Sequence, residues 1–286
     1  MELTAEIIAL RPYLFHIAYN MLGIVADAED VVHDVYEKWT SVKGVKQPKA
    51  YLGRMTVNQS IDRLQELKRQ RESYIGSWLP EPYITLDFET PPTLEYGLLF
   101  LLERLNPVER AVFILRESFS EEYHYIAELI GTSVENCRQL LHRAHKKLSR
   151  KRFKPVDPSK HRSLLDAFLF SLQCEDRTQL EAVLRSDVEF FSDGGGKREA
   201  ARKPLLGRDK VLKFLFGVMQ LPENKFNDFE YRAAFVNGRP AILFIHRLTG
   251  ELDSVLCVET AETEIIRLLY VRNPDKLQIR QSNTAF

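Results

Sequence analysis

Positively charged side chains are concentrated in residues 133–154, the segment of the sequence best suited to bind another molecule. It has eight Lys or Arg residues against one acid, Glu135, although the whole chain has 40 basic and 40 acidic residues. Cations at this density suit DNA phosphates, and polar side chains among them can address base edges. A solvated basic helix is the alternative. The DNA contacts predicted here are Ser133, Glu135, Asn136, Arg138, Gln139, His142, Arg143, Lys146 and Lys147.

A second basic group surrounds a long helical pattern that begins at Pro48. Proline is favoured at the first position of a helix, and apolar residues recur after it at helical spacing. Two separated basic helices in one chain predict two separated contacts with DNA. The contacts predicted in this group are Lys46, Arg54, Asn58, Arg63, Lys68, Arg69 and Arg71.

An acidic stripe precedes that helix, in residues 27–37, beside Trp39. An acidic face repels DNA but attracts a basic protein surface. Acids in the first half of a helix also suit its dipole, so the stripe alone is a weak signal. The candidate protein-binding residues are Asp30, Asp34, Glu37 and Trp39.

The elements that must position these side chains fall into several zones. Residues 1–73 are predicted to be helical, with Asp27 as the N-cap of the second helix. Residues 74–92 contain Trp78-Leu79-Pro80-Glu81-Pro82 and Pro91-Pro92, which exclude a continuous helix. We expect a linker there, either docked on another domain or packed locally.

Residues 93–154 are again predicted to be helical. Asn106-Pro107-Val108-Glu109 is typical of a capped helix start, and Ser120 is expected to cap the next helix, which Gly131 ends. Thr132-Ser133 opens a further helix. Two helices joined by a short turn with glycine form a helix-turn-helix, although a helical hairpin in a bundle fits the same pattern.

Residues 159–286 change to an α+β pattern. Helices near 159–174 and 177–185 precede a strand at 188–192, and another helix starts at Asp209. Strands are predicted at 226–237, 240–249, 252–260 and 263–272, with hairpin turns at Asn237-Gly238 and Thr249-Gly250. The order predicts helices on the concave face of an antiparallel sheet.

Composition excludes several classes of protein. The zero formal net charge excludes a uniformly basic protein that coats nucleic acid. The N-terminus lacks a signal-peptide pattern, and no apolar run is long enough to span a membrane. Cys137, Cys174 and Cys257 are too few and too far apart for a disulfide framework or a zinc site. We expect a cytoplasmic protein without a cofactor or a membrane partner.

The third zone contains four residues that could act in acid–base catalysis, His246, Asp193, Glu230 and Tyr270. His246 lies in an apolar strand, and Glu230 and Tyr270 fit ordinary strand alternation. Gly194-Gly195-Gly196 follows a strand but lacks the spacing of a phosphate-binding loop. We therefore predict a protein that is not an enzyme, and a flexible glycine loop that lets a partner backbone approach closely.

Several stretches resemble the extracytoplasmic-function (ECF) sigma factors of bacteria. Residues 27–39 are similar to conserved region 2, and Tyr51–Asn58 with Ile61–Leu64 to its continuation. Residues 106–148 resemble region 4. Trp78–Pro82, Asp193–Lys197 and Asn273–Leu277 are similar to three signature motifs of group 41, whose members carry a fused SnoaL-like domain. With these motifs the resemblance spans nearly the whole chain.

The resemblance implies a fold of two all-α sigma domains followed by an α+β cone domain. Region 2 (1–73) would bind core RNA polymerase through Asp30, Asp34 and Glu37, and the −10 element of promoter DNA. Region 4 (93–154) would read the −35 element with the helix from Ser133. Many relatives have Ser-Arg where this chain has Gln139-Leu140, so that contact is absent or moved to Arg138.

The resemblance also implies that the SnoaL-like domain (159–286) regulates the sigma domains in place of a separate anti-sigma protein. We expect it to contact the linker (74–92), with Trp78 as an apolar anchor. The residues assigned to these contacts are Trp78, Leu79, Pro80, Glu81, Pro82, Asp193, Gly194, Gly195, Gly196, Lys197, Asn273, Pro274, Asp275, Lys276 and Leu277. The alternative is a DNA-binding regulator fused to a small-molecule-binding or enzymatic domain, with an unknown ligand.

Overall fold

The structure is a computed structural model that describes residues 4–86, 94–148, 158–219 and 228–279. Helices α1 (Ala5–Ile8), α2 (Arg11–Leu22), α3 (Val25–Ser41) and α4 (Pro48–Arg71) form the first helical body. The predicted first helix is interrupted near Pro12, and Gly23 ends α2 in the left-handed conformation, with a φ of 69°.

The prediction that Asp27 caps α3 is wrong. The helix begins two residues earlier, and the N–H of Val25 donates to the Glu81 carboxylate of the linker at 2.8 Å. Because this distant acceptor satisfies a first-turn donor, the helix does not need a local cap. Asp27 instead pairs with Arg63 of α4, with 2.6 Å between Oδ1 and Nη2.

The second helical body contains α5 (Tyr96–Leu101), α6 (Pro107–Phe113), α7 (Tyr123–Ile130) and α8 (Val134–Leu148). The predicted capping box of Asn106 and Glu109 is present, and Ser133 accepts the first-turn N–H of Asn136 at 3.1 Å. Ser120 does not cap α7. It has a φ of 54° in the loop after the π-helical turn Ile114–Ser118, and α7 starts three residues later.

The two helical bodies share one hydrophobic core. Its buried residues run from Ile7 to Ala144 and come from both, with α4 packed between α2 and α7. The two helical bodies are therefore packed against each other in this structure. We call this arrangement closed.

The third domain is built on one sheet, whose strands are β1 (Ile84–Thr85), β2 (Leu184–Asp193), β3 (Leu205–Leu206), β4 (Phe229–Val236), β5 (Arg239–His246), β6 (Leu252–Ala261) and β7 (Glu264–Val271). Their order across the sheet is β1-β4-β5-β6-β7-β2-β3. All neighbours are antiparallel except β2 and β7. Asn237 and Gly238 both have positive φ, as the predicted hairpin requires.

The two faces of this sheet have different covers. Helices α9 (Pro158–Gln173), α10 (Arg177–Val183) and α11 (Arg208–Met219) pack on one face. The opposite face is covered by Leu79 and Ile84 of the linker and by Tyr96 and Phe100 of α5. Strand β1 itself comes from the linker and pairs with the sheet edge, Ile84 against Val236.

Candidate functional site

Helix α8 presents a polar face to solvent. Glu135, Arg138, Gln139, His142, Arg143 and Lys146 are exposed, and they recur every three or four residues. Cys137, Leu140, Leu141 and Ala144 point into the core on the opposite side. This spacing puts the exposed residues on one stripe of a single helix, as contact with one groove of DNA requires.

Three of the predicted contacts on α8 are already engaged. Asn136 donates to the Thr132 hydroxyl at 2.8 Å, and Lys147 donates to the buried Glu109 carboxylate at 2.6 Å. The exposed Ser133 caps the helix. Arg138 lies 3.6 Å from Glu135 and over the Tyr123 ring, yet it stays largely exposed. The predicted cations at 150–154 lie outside the described residues.

The candidate −10 residues divide into two sets. Lys46, Arg54, Asn58 and Arg69 are exposed. The others are bound within the protein and, in this arrangement, do not face solvent as free cations. They are Arg63, paired with Asp27 and Glu66, Lys68, bound to the carbonyls of Glu103 and Leu105, and Arg71, paired with Glu103.

The three acidic residues predicted to bind a protein on α3 are exposed to solvent, but the neighbouring Trp39 is not. Asp30, Asp34 and Glu37 are exposed at helical spacing on one side. Trp39 is completely buried and packs against Tyr51, 6.0 Å between ring centroids. Including Trp39 in a protein-binding surface was therefore wrong, because it belongs to the core stripe of Val31, Val32 and Val35.

The linker is held to the third domain by a buried network centred on Asp193, at the end of β2. This carboxylate is fully buried and accepts the Leu79 N–H at 2.9 Å, the Tyr74 hydroxyl at 2.5 Å and the Lys276 ammonium at 2.7 Å. Lys276 also donates to the Leu79 carbonyl at 2.6 Å. We call Tyr74, Leu79, Asp193 and Lys276 the latch.

The ionisable groups of the latch are buried, and burial changes their pKa values. Burial lowers the pKa of Lys276 to about 8, while Asp193 opposes the shift. Burial and then the neighbouring Asp193 carboxylate raise the pKa of Tyr74. A buried ion pair of this kind costs desolvation, and removing one partner leaves the other charge unpaired.

The glycine loop and the Asn273–Leu277 segment complete the latch region. Gly195 lies against Asn273, with no room for a Cβ, and the Asn273 amide donates to the Tyr74 hydroxyl at 3.0 Å. Lys197 pairs with Asp275 at 2.6 Å. Of the other motif residues, Gly194 lies against Arg198, Gly196 faces Ile75, Leu277 packs on the sheet core, and Pro274 starts a short 3₁₀ turn.

Leu79, and not Trp78 as expected, is the linker residue inserted into the core of the third domain. Trp78 is half-buried, with the Arg71 guanidinium stacked 3.3 Å from its ring and Lys276 4.3 Å from it. Leu79 is fully buried in the core of the third domain and is the apolar anchor. Pro80, Glu81 and Pro82 are also buried, and the Pro80 carbonyl accepts from Tyr96 at 2.7 Å.

Sequence reasoning missed Asn237, which it assigned only to a turn. Its side chain binds the Tyr83 N–H at 3.1 Å, the Leu94 carbonyl at 3.0 Å and the Tyr19 hydroxyl at 3.2 Å. The hairpin tip therefore joins the first helical body, the linker and the residues just before α5. An Asn-Gly pair carries a strong turn signal that hides such a second role.

The four candidate acid–base residues do not converge. Asp193 belongs to the latch, Glu230 is exposed, and Tyr270 bonds the Ser254 hydroxyl at 2.8 Å. A cavity of about 100 Å³ lies between the helices of the third domain and its sheet, lined mainly by aromatic rings such as Phe190, Tyr231 and Tyr270, with Arg272 and Asp253. His246 is not among its lining residues.

Comparison with known families agrees with this layout. Residues 7–70 match the model of sigma-70 region 2, and residues 97–148 match that of sigma-70 region 4. The chain is 33% identical over 231 residues to the ECF RNA polymerase sigma factor SigJ of Mycobacterium tuberculosis, a match that covers 76% of this chain and 73% of the relative. The chain belongs to the ECF sigma factor family. It is thus an alternative sigma factor of RNA polymerase.

Other relatives extend the likeness to nearly the whole chain. A probable ECF sigma factor, SigI of M. tuberculosis, is 32% identical over 280 residues, covering 91% of this chain and 90% of its own. The crystal structure of M. tuberculosis SigJ superposes with a TM-score of 0.78 at 29% identity, over 95% of this chain and 97% of that one. The predicted architecture, two all-α sigma domains followed by an α+β domain, is confirmed.

Two further findings concern the described residues only. None of their helices is long and apolar enough to cross a membrane. They contain no cluster of three or more His, Cys, Asp or Glu side chains that could hold a metal ion, and their three cysteines are free thiols.

Proposed function

We propose that the two helical bodies divide promoter recognition between them in the cytoplasm. Lys46, Arg54, Asn58 and Arg69 bind the −10 element, and the stripe from Glu135 to Lys146 on α8 reads the −35 element. Asp30, Asp34 and Glu37 bind core polymerase. Support comes from the exposure and helical spacing of these side chains, together with the family.

The closed arrangement of the helical bodies must open on a promoter. Elements centred at −10 and −35 are about 25 base pairs apart, or roughly 85 Å at 3.4 Å per base pair. A compact chain of this length has a radius of gyration of only about 19 Å. Two helices that share one hydrophobic core cannot span that separation.

The third domain regulates this opening through the latch. The observation that carries the proposal is the Asp193 carboxylate, which binds the linker backbone, the linker tyrosine and the Lys276 ammonium at one buried point. While the latch is closed, the linker stays on the sheet and the DNA-binding helices stay together. The fused domain thus takes the role of a separate anti-sigma protein.

Promoter-specific transcription by three versions of the chain tests the proposal. Compared with the full-length protein, a version ending at residue 272 loses Lys276 and is expected to be more active. A version ending at residue 154 is expected to be less active, because Leu79, Ile84 and Tyr96 lose their cover. Equal activity of all three, with circular dichroism confirming folded helices, would refute regulation by the third domain.

The aromatic cavity favours a second candidate function, the binding of a small apolar molecule by the third domain. Seven aromatic side chains line it, and the ion pair of Arg272 and Asp253 lies beside them at 3.4 Å. The Arg272 N–H donates to the Asp193 carbonyl at 2.7 Å, so the cavity wall adjoins the latch. Titration with fluorobenzene, followed by ¹⁹F NMR, tests this; no shift at millimolar ligand would exclude it.

A further inference from the structure

Three cations from the two helical bodies surround one residue, Glu103: two bind its carboxylate and the third binds its backbone carbonyl. Arg71 of α4 donates to its Oε2 at 2.6 Å, and Arg110 of α6 donates to its Oε1. Lys68 of α4 donates to the backbone carbonyls of Glu103 and Leu105 at 3.2 and 2.5 Å. Glu103 lies between α5 and α6, so this cluster joins region 4 to the end of the −10 helix.

The cluster has an excess of positive charge. Burial would raise the pKa of Glu103, but Arg110 and then Arg71 outweigh it and hold the pKa below its ordinary value. Burial, and repulsion from neighbouring cations including Arg110, lower the pKa of Lys68 despite Glu103. One carboxylate thus serves three cations, which by themselves favour a further negative charge.

Arg110 also has an unused donor. Its side chain is fully buried, its Nε binds the Asn20 carbonyl at 3.0 Å, and its Nη2 has no hydrogen-bond partner among the described residues. A buried donor without a partner is costly, so the closed cluster carries a penalty that opening relieves. For Arg71, which stays on α4, a tetrahedral phosphate offers more acceptor oxygens than a carboxylate. Arginine forks bind both groups in the same bidentate manner.

The DNA-facing residues continue directly into this cluster. Arg69, in the same helical turn as Lys68 and Arg71, is exposed. When the helical bodies separate, Glu103 and Arg110 leave with region 4, and the two α4 cations face solvent. Arg71 also stacks on Trp78 of the linker. Opening the latch would therefore remove this aromatic contact from Arg71 as well.

We propose that Lys68 and Arg71 form a binding site for the phosphodiester backbone of DNA, which Glu103 occupies in the closed protein, with its carboxylate on Arg71 and its backbone carbonyl on Lys68. Glu103 is then an intramolecular competitor of promoter DNA. This inference rests on the proposed function, since it assumes that α4 lies on the promoter in the open state.

The test is DNA binding by the full-length chain, measured by fluorescence anisotropy with a labelled promoter duplex between 50 and 300 mM salt. Glu103→Gln is expected to bind about tenfold more tightly at low salt, because the competing charge is lost. The matched control is Glu72→Gln, which removes one negative charge from an exposed side chain just beyond α4 and leaves the cluster intact.

The gain must depend on the two cations. Lys68→Met/Arg71→Met in the Glu103→Gln background is expected to abolish the tighter binding. A Glu103→Gln protein that binds no more tightly than Glu72→Gln, or a gain that survives loss of Lys68 and Arg71, would overturn the inference and leave the cluster a purely structural contact.

A second measurement keeps the inference testable if Glu103→Gln fails to fold. Lys68→Met/Arg71→Met alone, assembled with core polymerase, is expected to bind promoter DNA with a salt slope reduced by about two. An unchanged slope, with wild-type holoenzyme active on the promoter, refutes the inference alone. Wild-type holoenzyme without promoter-specific transcription refutes the proposed function itself.

Discussion

Lys276 and Asp193 form a buried ion pair, 2.7 Å between Nζ and Oδ2, across the point where the linker meets the third domain. The lysine side chain is 7% exposed and the aspartate 0%. Both also bind the backbone of Leu79, so the pair closes on the linker from two sides. Its energetics therefore report on linker docking.

The protonation of Lys276 predicts a stability that rises in alkaline solution. Its pKa is about 8 in the folded protein, against 10.5 for an ordinary lysine, so between these values the unfolded chain binds more protons. The free energy of unfolding should therefore increase by about 2 kcal/mol from pH 7.5 to 9.5 through this group. The measurement is urea unfolding at both pH values, followed by tryptophan fluorescence.

Other groups titrate in the same range, so Lys276→Met is the reference. The wild-type protein should gain about 2 kcal/mol more than this variant over the same window. Equal gains in the two proteins would mean that Lys276 is not held as a buried cation.

A close approach of Gly97 and Glu259 fixes α5 on the sheet. A Cβ on Gly97 would lie 1.2 Å from Oε1 of Glu259, which is tied to the buried Arg267. Gly97→Ala should therefore destabilise the protein by about 1–3 kcal/mol, measured by thermal unfolding. Gly217→Ala on α11, where nothing lies within 4 Å, should stabilise it by up to about 1 kcal/mol.

The double variant Gly97→Ala/Glu259→Ala tests the cause. Removing the carboxylate makes room for the new methyl group, so the second substitution should cost less in the Gly97→Ala background than in the wild type. Additive losses would show that the clash is not the source of the effect.

Arg138 is the best placed cation for sequence-specific contact on α8. Arg138→Ala should weaken binding to −35 DNA by about 1–3 kcal/mol, and less on a scrambled sequence. Lys151→Ala, beyond the described end of α8, should cost less and affect both sequences alike. Equal losses on both DNAs for Arg138 would reduce its role to positioning the protein.

The acidic stripe of α3 is expected to bind core polymerase. Asp30→Lys/Asp34→Lys should weaken association in a pull-down titration, and more strongly at low salt, because like charges would meet at the contact. Glu251→Lys, exposed on the third domain, is the control for adding positive charge. Unchanged affinity of a folded double variant would remove the assignment.

The sequence predicted the order and type of the elements because their signals are local. Asn106 with Glu109, Gly131, Ser133 and the Asn237-Gly238 turn each act within a few residues. Trp39 was also within reach, since it continues the apolar stripe of α3 through Val35. Because Trp39 closely follows several acidic residues along the chain, it was assigned to the acidic surface instead of the core.

The remaining features depend on distant partners. Nothing near Asp27 shows that Glu81 caps its helix, 56 residues after Val25. Nothing near Lys68 or Arg71 separates them from the exposed Arg69, because only the packing of region 4 decides which cations meet Glu103. A run of basic residues therefore predicts a binding face but not which of its members are engaged within the protein.

The most direct test of the closed, latched arrangement is the distance between the two helical bodies in solution. Spin labels at Gln65→Cys on α4 and Glu128→Cys on α7, both exposed positions, with the exposed Cys174 replaced by serine, report it by pulsed electron resonance. The free full-length protein should give one short distance, which lengthens by tens of ångströms on a promoter with polymerase. Asp193→Asn should show the longer distance without DNA. A free wild-type protein already at the promoter-bound distance, or an Asp193→Asn protein unchanged from wild type, would contradict the account.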